Sequence, residues 1–171
     1  MKKAVMIIAE NNFRDEELFE PKGILESAGI EVKVASTHLN PAKGALGASV
    51  KPDLLVSNIK PGDFDALIFV GGAGASQYWS DPLAHKLAKE AFDLNKIVAA
   101  ICIAPVVLAK AGLLKEKKAT VWSGEAGQLK MAGAIYTGKN VEKDGNIITA
   151  SGPFAAKEFG EEIKKALLNK T

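Results

Sequence analysis

The chain has 171 residues, 47% hydrophobic and 25% charged, a globular composition that excludes disordered, collagen-like and coiled-coil architectures. Lys and Arg total 22 against 20 for Asp and Glu, so a net charge of +2 gives no electrostatic case for a nucleic-acid or membrane-surface partner. The single cysteine cannot form an internal disulfide, and with two histidines it offers no metal-ligand spacing.

Residues 4–9 form an apolar run that ends at Glu10-Asn11-Asn12. It is shorter than the roughly 7–15 residues of a signal-peptide core, and no segment reaches the roughly 18 apolar residues of a membrane span. One soluble, cytoplasmic domain over residues 1–171 is expected. Residues 16–28 have helical period, with Leu18, Pro21, Ile24, Leu25 and Ala28 on one side and Glu16, Glu20, Lys22, Glu26 and Ser27 on the other. Arg14-Asp15 offers an N-cap and Ala28-Gly29 a stop. Glu17 falls on the apolar side. A charge facing a core is unfavourable unless paired or neutralised, whereas a first-turn carboxylate can instead reach water or cap backbone N–H groups. Pro21 lacks an N–H and leaves the Glu17 carbonyl unbonded within the helix.

Residues 32–35, 66–70 and 97–101 are further short Val- and Ile-containing runs, the signature of parallel strands covered on both faces. Between the first two, residues 40–59 lack helical period and hold Pro41, Gly44 and Gly47, an excursion with room for a small hairpin. Helical period returns over 82–95 and 105–111. Residues 141–149 read as a hairpin, with Asp144-Gly145 supplying the positive φ angles of its turn. Phe159, Ile163, Ala166 and Leu167 then share the stripe of a closing helix. The alternation predicts an α/β fold: a flavodoxin-like three-layer αβα sandwich with a mostly parallel central sheet.

Lys96-Ile-Val-Ala-Ala-Ile-Cys-Ile-Ala-Pro105 reads as a buried strand entering a helix, with Cys102 at the turn and Ala100 and Ala104 two residues to either side. Small neighbours are what a nucleophile elbow requires, because the backbone crosses tightly there. The helix N-terminus beyond it favours a thiolate; an inert buried thiol is the competing reading. Open α/β sheets bind ligands at the carboxyl ends of their strands, which here carry Glu10 to Glu17, Gly71-Gly72-Ala73-Gly74-Ala75 and Cys102. The N–H groups of Gly71, Gly72 and Ile103 are candidates for an oxyanion hole. A phosphate loop is disfavoured, since Gln77 stands where the third glycine of its fingerprint would fall.

Glu17 in a Glu-Glu-Leu-x-x-Pro helix, Val70-Gly-Gly-Ala73 and Ala100-Ile-Cys-Ile-Ala-Pro105, in that order and spacing, resemble the ThiJ/PfpI family. That family lies within the class I glutamine-amidotransferase-like superfamily, and its branches include Parkinson disease protein 7 and the intracellular protease I group. The resemblance extends over essentially the whole chain, to Lys143-Asp144-Gly145 and Ser151-Gly152-Pro153. It implies that Cys102 is the reactive nucleophile, that Glu17 hydrogen-bonds its sulfur, and that the Gly71 and Gly72 amides lie beside it. Two departures stand out. The protease-like branch has a histidine directly after the nucleophile, where this chain has Ile103. The other branch has one on a later strand, where Trp122 takes the place; with Ala73 it is a candidate pocket residue. His85 falls at the edge of its helix's apolar stripe, and His38 lies in a loop within reach of the site. A Cys-His pair is unsupported, and peptide hydrolysis with it.

Cys102 and Glu17 suffice for chemistry on small reactive carbonyls without cofactor or metal. The resemblance implies a stress-protective glyoxalase or deglycase activity, in which a Glu17 kept protonated by burial donates to the thiolate. The alternative is redox sensing or chaperone-like action through Cys102 oxidation by an oxidant. A cysteine peptidase comes third, with Ile103 against it. The resemblance also implies a homodimer or higher homo-oligomer, for which Tyr78, Trp79 and Leu167-Leu168 are the apolar candidates.

Overall fold

A computed structural model describes residues 1–169. The chain runs through β1 (Lys3–Ile7), β2 (Asn11–Phe13), α1 (Asp15–Ser27), β3 (Glu31–Ser36), β4 (Ala42–Gly44), β5 (Ser49–Val50), β6 (Leu54–Leu55) and β7 (Ala66–Phe69). It continues through α2 (Pro82–Asp93), β8 (Ile97–Ile101), α3 (Pro105–Lys110), β9 (Lys118–Ala119), α4 (Ala126–Met131), β10 (Ile135–Tyr136), β11 (Val141–Asp144), β12 (Ile147–Ala150) and α5 (Ala156–Asn169). Seven strands form the central sheet in the order β11-β12-β8-β7-β1-β3-β6, and only the β11–β12 pair is antiparallel.

Side-chain alternation along the strands builds the layers. Ala4, Met6, Ile68 and Ala99 share one core with Leu18 and Leu25 of α1 and Phe159 and Ile163 of α5. Val5, Leu67 and Val98 share the other with Leu87 and Ala91 of α2 and Val107 of α3. Both faces are covered, so β7 and β8 are buried at every position, and their sequences read as unbroken apolar runs for that reason. The expected three-layer α/β architecture is present. α5 packs closely on α1 at Gly160, where a Cβ would lie 2.9 Å from Cα of Pro21. From β1 the chain first builds outward through β3 and β6, then returns to place β7 on the other side of β1. That reversal opens a crevice at the carboxyl ends of β1 and β7, with β8 alongside.

The local expectations are met less evenly. The hairpin in residues 40–59 exists as β4–β5, but it docks on β2, a strand the sequence did not suggest. Asp15 does not cap its own helix: its carboxylate accepts from the N–H groups of Leu46 and Ala48, both at 3.0 Å, tying that hairpin to α1. The later hairpin turns on Gly145-Asn146, not Asp144-Gly145; Asp144 ends β11 and only Gly145 has positive φ, at 61°. Of the apolar residues expected to promote association, Tyr78 and Leu167 are buried and Trp79 is half-buried. Leu168 is the one left exposed. Among the described residues no helix is long and apolar enough to cross a membrane.

Candidate active site

Beyond β8 the backbone turns at Cys102, whose φ of 65° is left-handed and costs a non-glycine residue about 1–3 kcal/mol. Three backbone bonds hold it there. The Cys102 N–H donates to Ala150 O at 2.9 Å, the Trp122 N–H to Cys102 O at 2.8 Å, and the Ala104 N–H to Ile101 O at 3.1 Å. The Trp79 indole N–H braces the next residue by donating to Ile103 O at 3.0 Å. Ala100 and Ala104 are buried, as tight crossing requires, and Cys102 itself is 8% exposed.

Glu17 is fully buried, which removes the reading of a solvated first-turn carboxylate. Neither carboxyl oxygen has a hydrogen-bond partner of normal geometry among the described residues. The Cys102 thiol and the Gly71 N–H face the carboxyl and favour its charged form, but burial outweighs them and pushes it up to about 8. At neutral pH the acid therefore holds its proton. Gly71 is what lets acid and sulfur meet. A Cβ there would lie 2.3 Å from Glu17 Oε1, 2.6 Å from Cys102 Cβ and 2.6 Å from Ile101 O. Any larger residue would force the two side chains apart.

The thiol differs from expectation. Burial, followed by the Glu17 charge, pushes Cys102 up to about 12; the Gly72 and Ile103 N–H groups lower it but do not compensate. The helix beyond is only six residues long and starts at Pro105, so its dipole does not overcome desolvation. The Glu17 charge acts only while Glu17 is ionised. The pair thus loses one proton near pH 8 and the second near 12, and between them the carboxyl is charged and the remaining proton lies chiefly on the sulfur.

The proposed backbone donors divide. Gly72 and Ile103 face the sulfur, whereas the Gly71 N–H faces Glu17. Gly72 has φ of 100°, and a Cβ on it would lie 2.4 Å from Arg14 N, so the turn is pressed against the chain entering α1. Ala73 is exposed beside Gly72. Trp122 is 41% exposed, its ring lying against Gly152. Neither histidine is bonded to Cys102 or Glu17. His38 Nδ1 lies 3.2 Å from Asn40 O and Nε2 3.4 Å from Glu10 Oε2; His85 Nε2 lies 2.7 Å from Trp79 O. Among the described residues no group of three or more His, Cys, Asp or Glu side chains could hold a metal ion. A groove of about 620 Å³ between α1 and α5, lined by Phe19, Ile24 and Lys164 among others, does not include Cys102.

In the sequence Arg14 stands out only as part of an N-cap. Its N–H donates to Gly71 O at 2.9 Å, and its guanidinium forks onto Glu16 through Nε and Nη2, both at 2.9 Å. The Glu16 bond raises its pKa most, and the charges of Glu17 and Cys102 add to the rise. The signal available was position: Arg14 belongs to the turn after the first strand, the place where a sheet-edge site is built.

Comparison with known proteins yields consistent matches. The profile of the DJ-1/PfpI family matches residues 2–166. A Pyrococcus furiosus protein named Deglycase PfpI is 34% identical over 163 residues, covering 95% of this chain and 98% of its own. A Caenorhabditis elegans protein named Glutathione-independent glyoxalase DJR-1.2 is 28% identical over 166 residues, covering 97% and 89% respectively. The crystal structure of a ThiJ/PfpI domain protein from Brachyspira murdochii superposes with a TM-score of 0.96 at 38% identity, covering 99% of this chain and 98% of that one.

Proposed function

The chain belongs to the DJ-1/PfpI family, and from that premise we propose that it is a cofactor-independent, stress-protective enzyme acting on small reactive carbonyl compounds, with glyoxalase- or deglycase-type chemistry carried by Cys102 and Glu17. The observation that carries this reading is the meeting of a fully buried acid with a strained cysteine over the α-carbon of Gly71. The deglycase and glyoxalase names of the relatives support it.

The reactive form is the minor tautomer of the singly protonated pair, with its proton on Glu17 and the sulfur as thiolate. The sulfur of Cys102 attacks the aldehyde carbon of a 2-oxoaldehyde, the carbonyl π pair moves to oxygen, and that oxygen takes the Glu17 proton to give a hemithioacetal. The Gly72 and Ile103 N–H groups, already directed at the sulfur, stabilise the developing oxyanion. Glu17, now a carboxylate, removes the proton from the sulfur-bearing carbon and returns it to the neighbouring carbon. The first carbon's hydroxyl proton passes to the second carbon's oxygen, leaving a thioester beside an alcohol. Water cleaves the thioester to the 2-hydroxy acid and frees the sulfur. The sum is 2-oxoaldehyde plus water to hydroxy acid, with no external oxidant or reductant.

A redox role through oxidation of the same sulfur is the second reading, and the deglycase and glyoxalase names of the relatives favour the first. Peptide hydrolysis is disfavoured because neither histidine is bonded to the sulfur. The test is incubation of the pure protein with methylglyoxal, without added thiol or metal. Lactate should form, at a rate that increases as pH rises through about 8, where the pair loses its first proton. No consumption of methylglyoxal anywhere from roughly pH 6 to 9 would reject the proposal.

A further inference from the structure

We propose that Arg14 is a specificity residue of the Cys102 site, and that the favoured substrates are small carbonyl compounds carrying an anionic group. The inference rests on the carbonyl-enzyme reading above and names its substrate class. Its geometric basis is the bond from the Arg14 N–H to Gly71 O at 2.9 Å, which fixes Arg14 on the same glycine over which Glu17 and Cys102 meet. The Arg14 side chain is 36% exposed, and its charge is close enough to interact with both Glu17 and Cys102. A guanidinium has five N–H donors, and Glu16 takes two of them. Among the described residues the other three make no hydrogen bond, and a carboxylate or phosphate is the group their planar fork suits.

The charged groups nearby decide what kind of effect to expect. Glu16 neutralises Arg14 at long range, Asp15 is spent on the Leu46 and Ala48 N–H groups, and Glu17 is protonated at neutral pH. The site therefore does not attract anions from a distance; discrimination comes from direct contact with Arg14. Glu16 has a second effect, holding the guanidinium in one orientation while competing for it.

Two alkylating probes of nearly equal size, iodoacetate and iodoacetamide, test this at the sulfur itself. In each reaction a sulfur–carbon bond forms as the carbon–iodine bond breaks and iodide leaves, so the thiolate fraction cancels in the ratio of their rates. Removing the charge in Arg14→Gln should lower the iodoacetate-to-iodoacetamide ratio at Cys102 about tenfold, the scale of one charge-assisted contact at a half-exposed site. Arg14→Lys should retain part of the preference, and Glu16→Gln, which removes the competitor, should raise it. An unchanged ratio in Arg14→Gln overturns the proposal. Should that variant not fold, an unchanged or lower ratio in Glu16→Gln does the same. Turnover supplies the second arm: wild type should convert 4,5-dioxopentanoate with a lower KM than 2-oxopentanal, and Arg14→Gln should abolish the difference. If wild type converts neither compound, the carbonyl-enzyme reading fails, while the alkylation ratio still decides whether Arg14 selects anions.

Discussion

Glu17→Gln is expected to stabilise the folded protein by on the order of 3 kcal/mol at pH 7 while removing most of its turnover. In the folded chain burial pushes the Glu17 carboxyl up to about 8, whereas in the unfolded chain it titrates near 4.3. Unfolding at neutral pH therefore releases a proton. Below about pH 4 both states are protonated and the residue contributes nothing; as pH rises toward 8 the penalty from Glu17 grows, and beyond 8 that penalty is constant. Glutamine has the shape of the protonated acid and no charge to desolvate, so the penalty disappears. Denaturant unfolding at several pH values should show the variant's advantage growing from roughly pH 4 to 8. Turnover should move the other way, by roughly 10²–10⁴-fold, because glutamine cannot carry a proton between carbons. Equal stability of the two proteins at pH 5 and pH 8 would mean that the carboxyl is not held protonated by burial.

Cys102→Ser should reduce conversion of methylglyoxal by at least about a thousandfold and leave the fold intact. Serine is close in size and keeps the backbone bonds to Ala150, Ile101 and Trp122 that fix the elbow. Its hydroxyl is far less acidic than a thiol, and the site holds no histidine against it to act as base. The pH dependence of stability should persist in this variant, since desolvation and not the sulfur is the main cause of the Glu17 shift. Measuring both quantities on one preparation separates chemistry from folding. Turnover within tenfold of wild type would remove Cys102 from the reaction.

The parts of this molecule legible in its sequence are those set by local pattern. β7 and β8 throughout, and β1 after its exposed first residue Lys3, are readable because burial on both faces leaves no polar residue inside them. Glu17 was readable because one charge interrupts an apolar helix stripe, and the Cys102 elbow because tight backbone crossing leaves only alanines around it. What escaped depends on contacts between distant segments. β2 exists because Asn11 and Phe13 pair with β4, about thirty residues on, and Asp15 is drawn from its helix by that same hairpin. Gly71 was read as an amide donor to the reaction, but its larger role is the missing Cβ, which only the approach of Glu17 and Cys102 reveals. The acidity of the thiol is not legible in the sequence, because the helix end and the amides near Cys102 follow from local pattern, while its desolvation depends on distant segments packing over it.

The proposed chemistry depends most on a proton that exchanges between Glu17 and Cys102, and the pH dependence of Cys102 alkylation by iodoacetamide tests it most directly. In wild type the rate should rise through about pH 8 as the pair loses its first proton, and then level off, because the exchanging proton keeps the thiolate fraction constant until the second leaves. In Glu17→Gln that step and plateau should vanish, leaving a rate that climbs steadily with pH. Identical profiles for the two proteins would contradict the account.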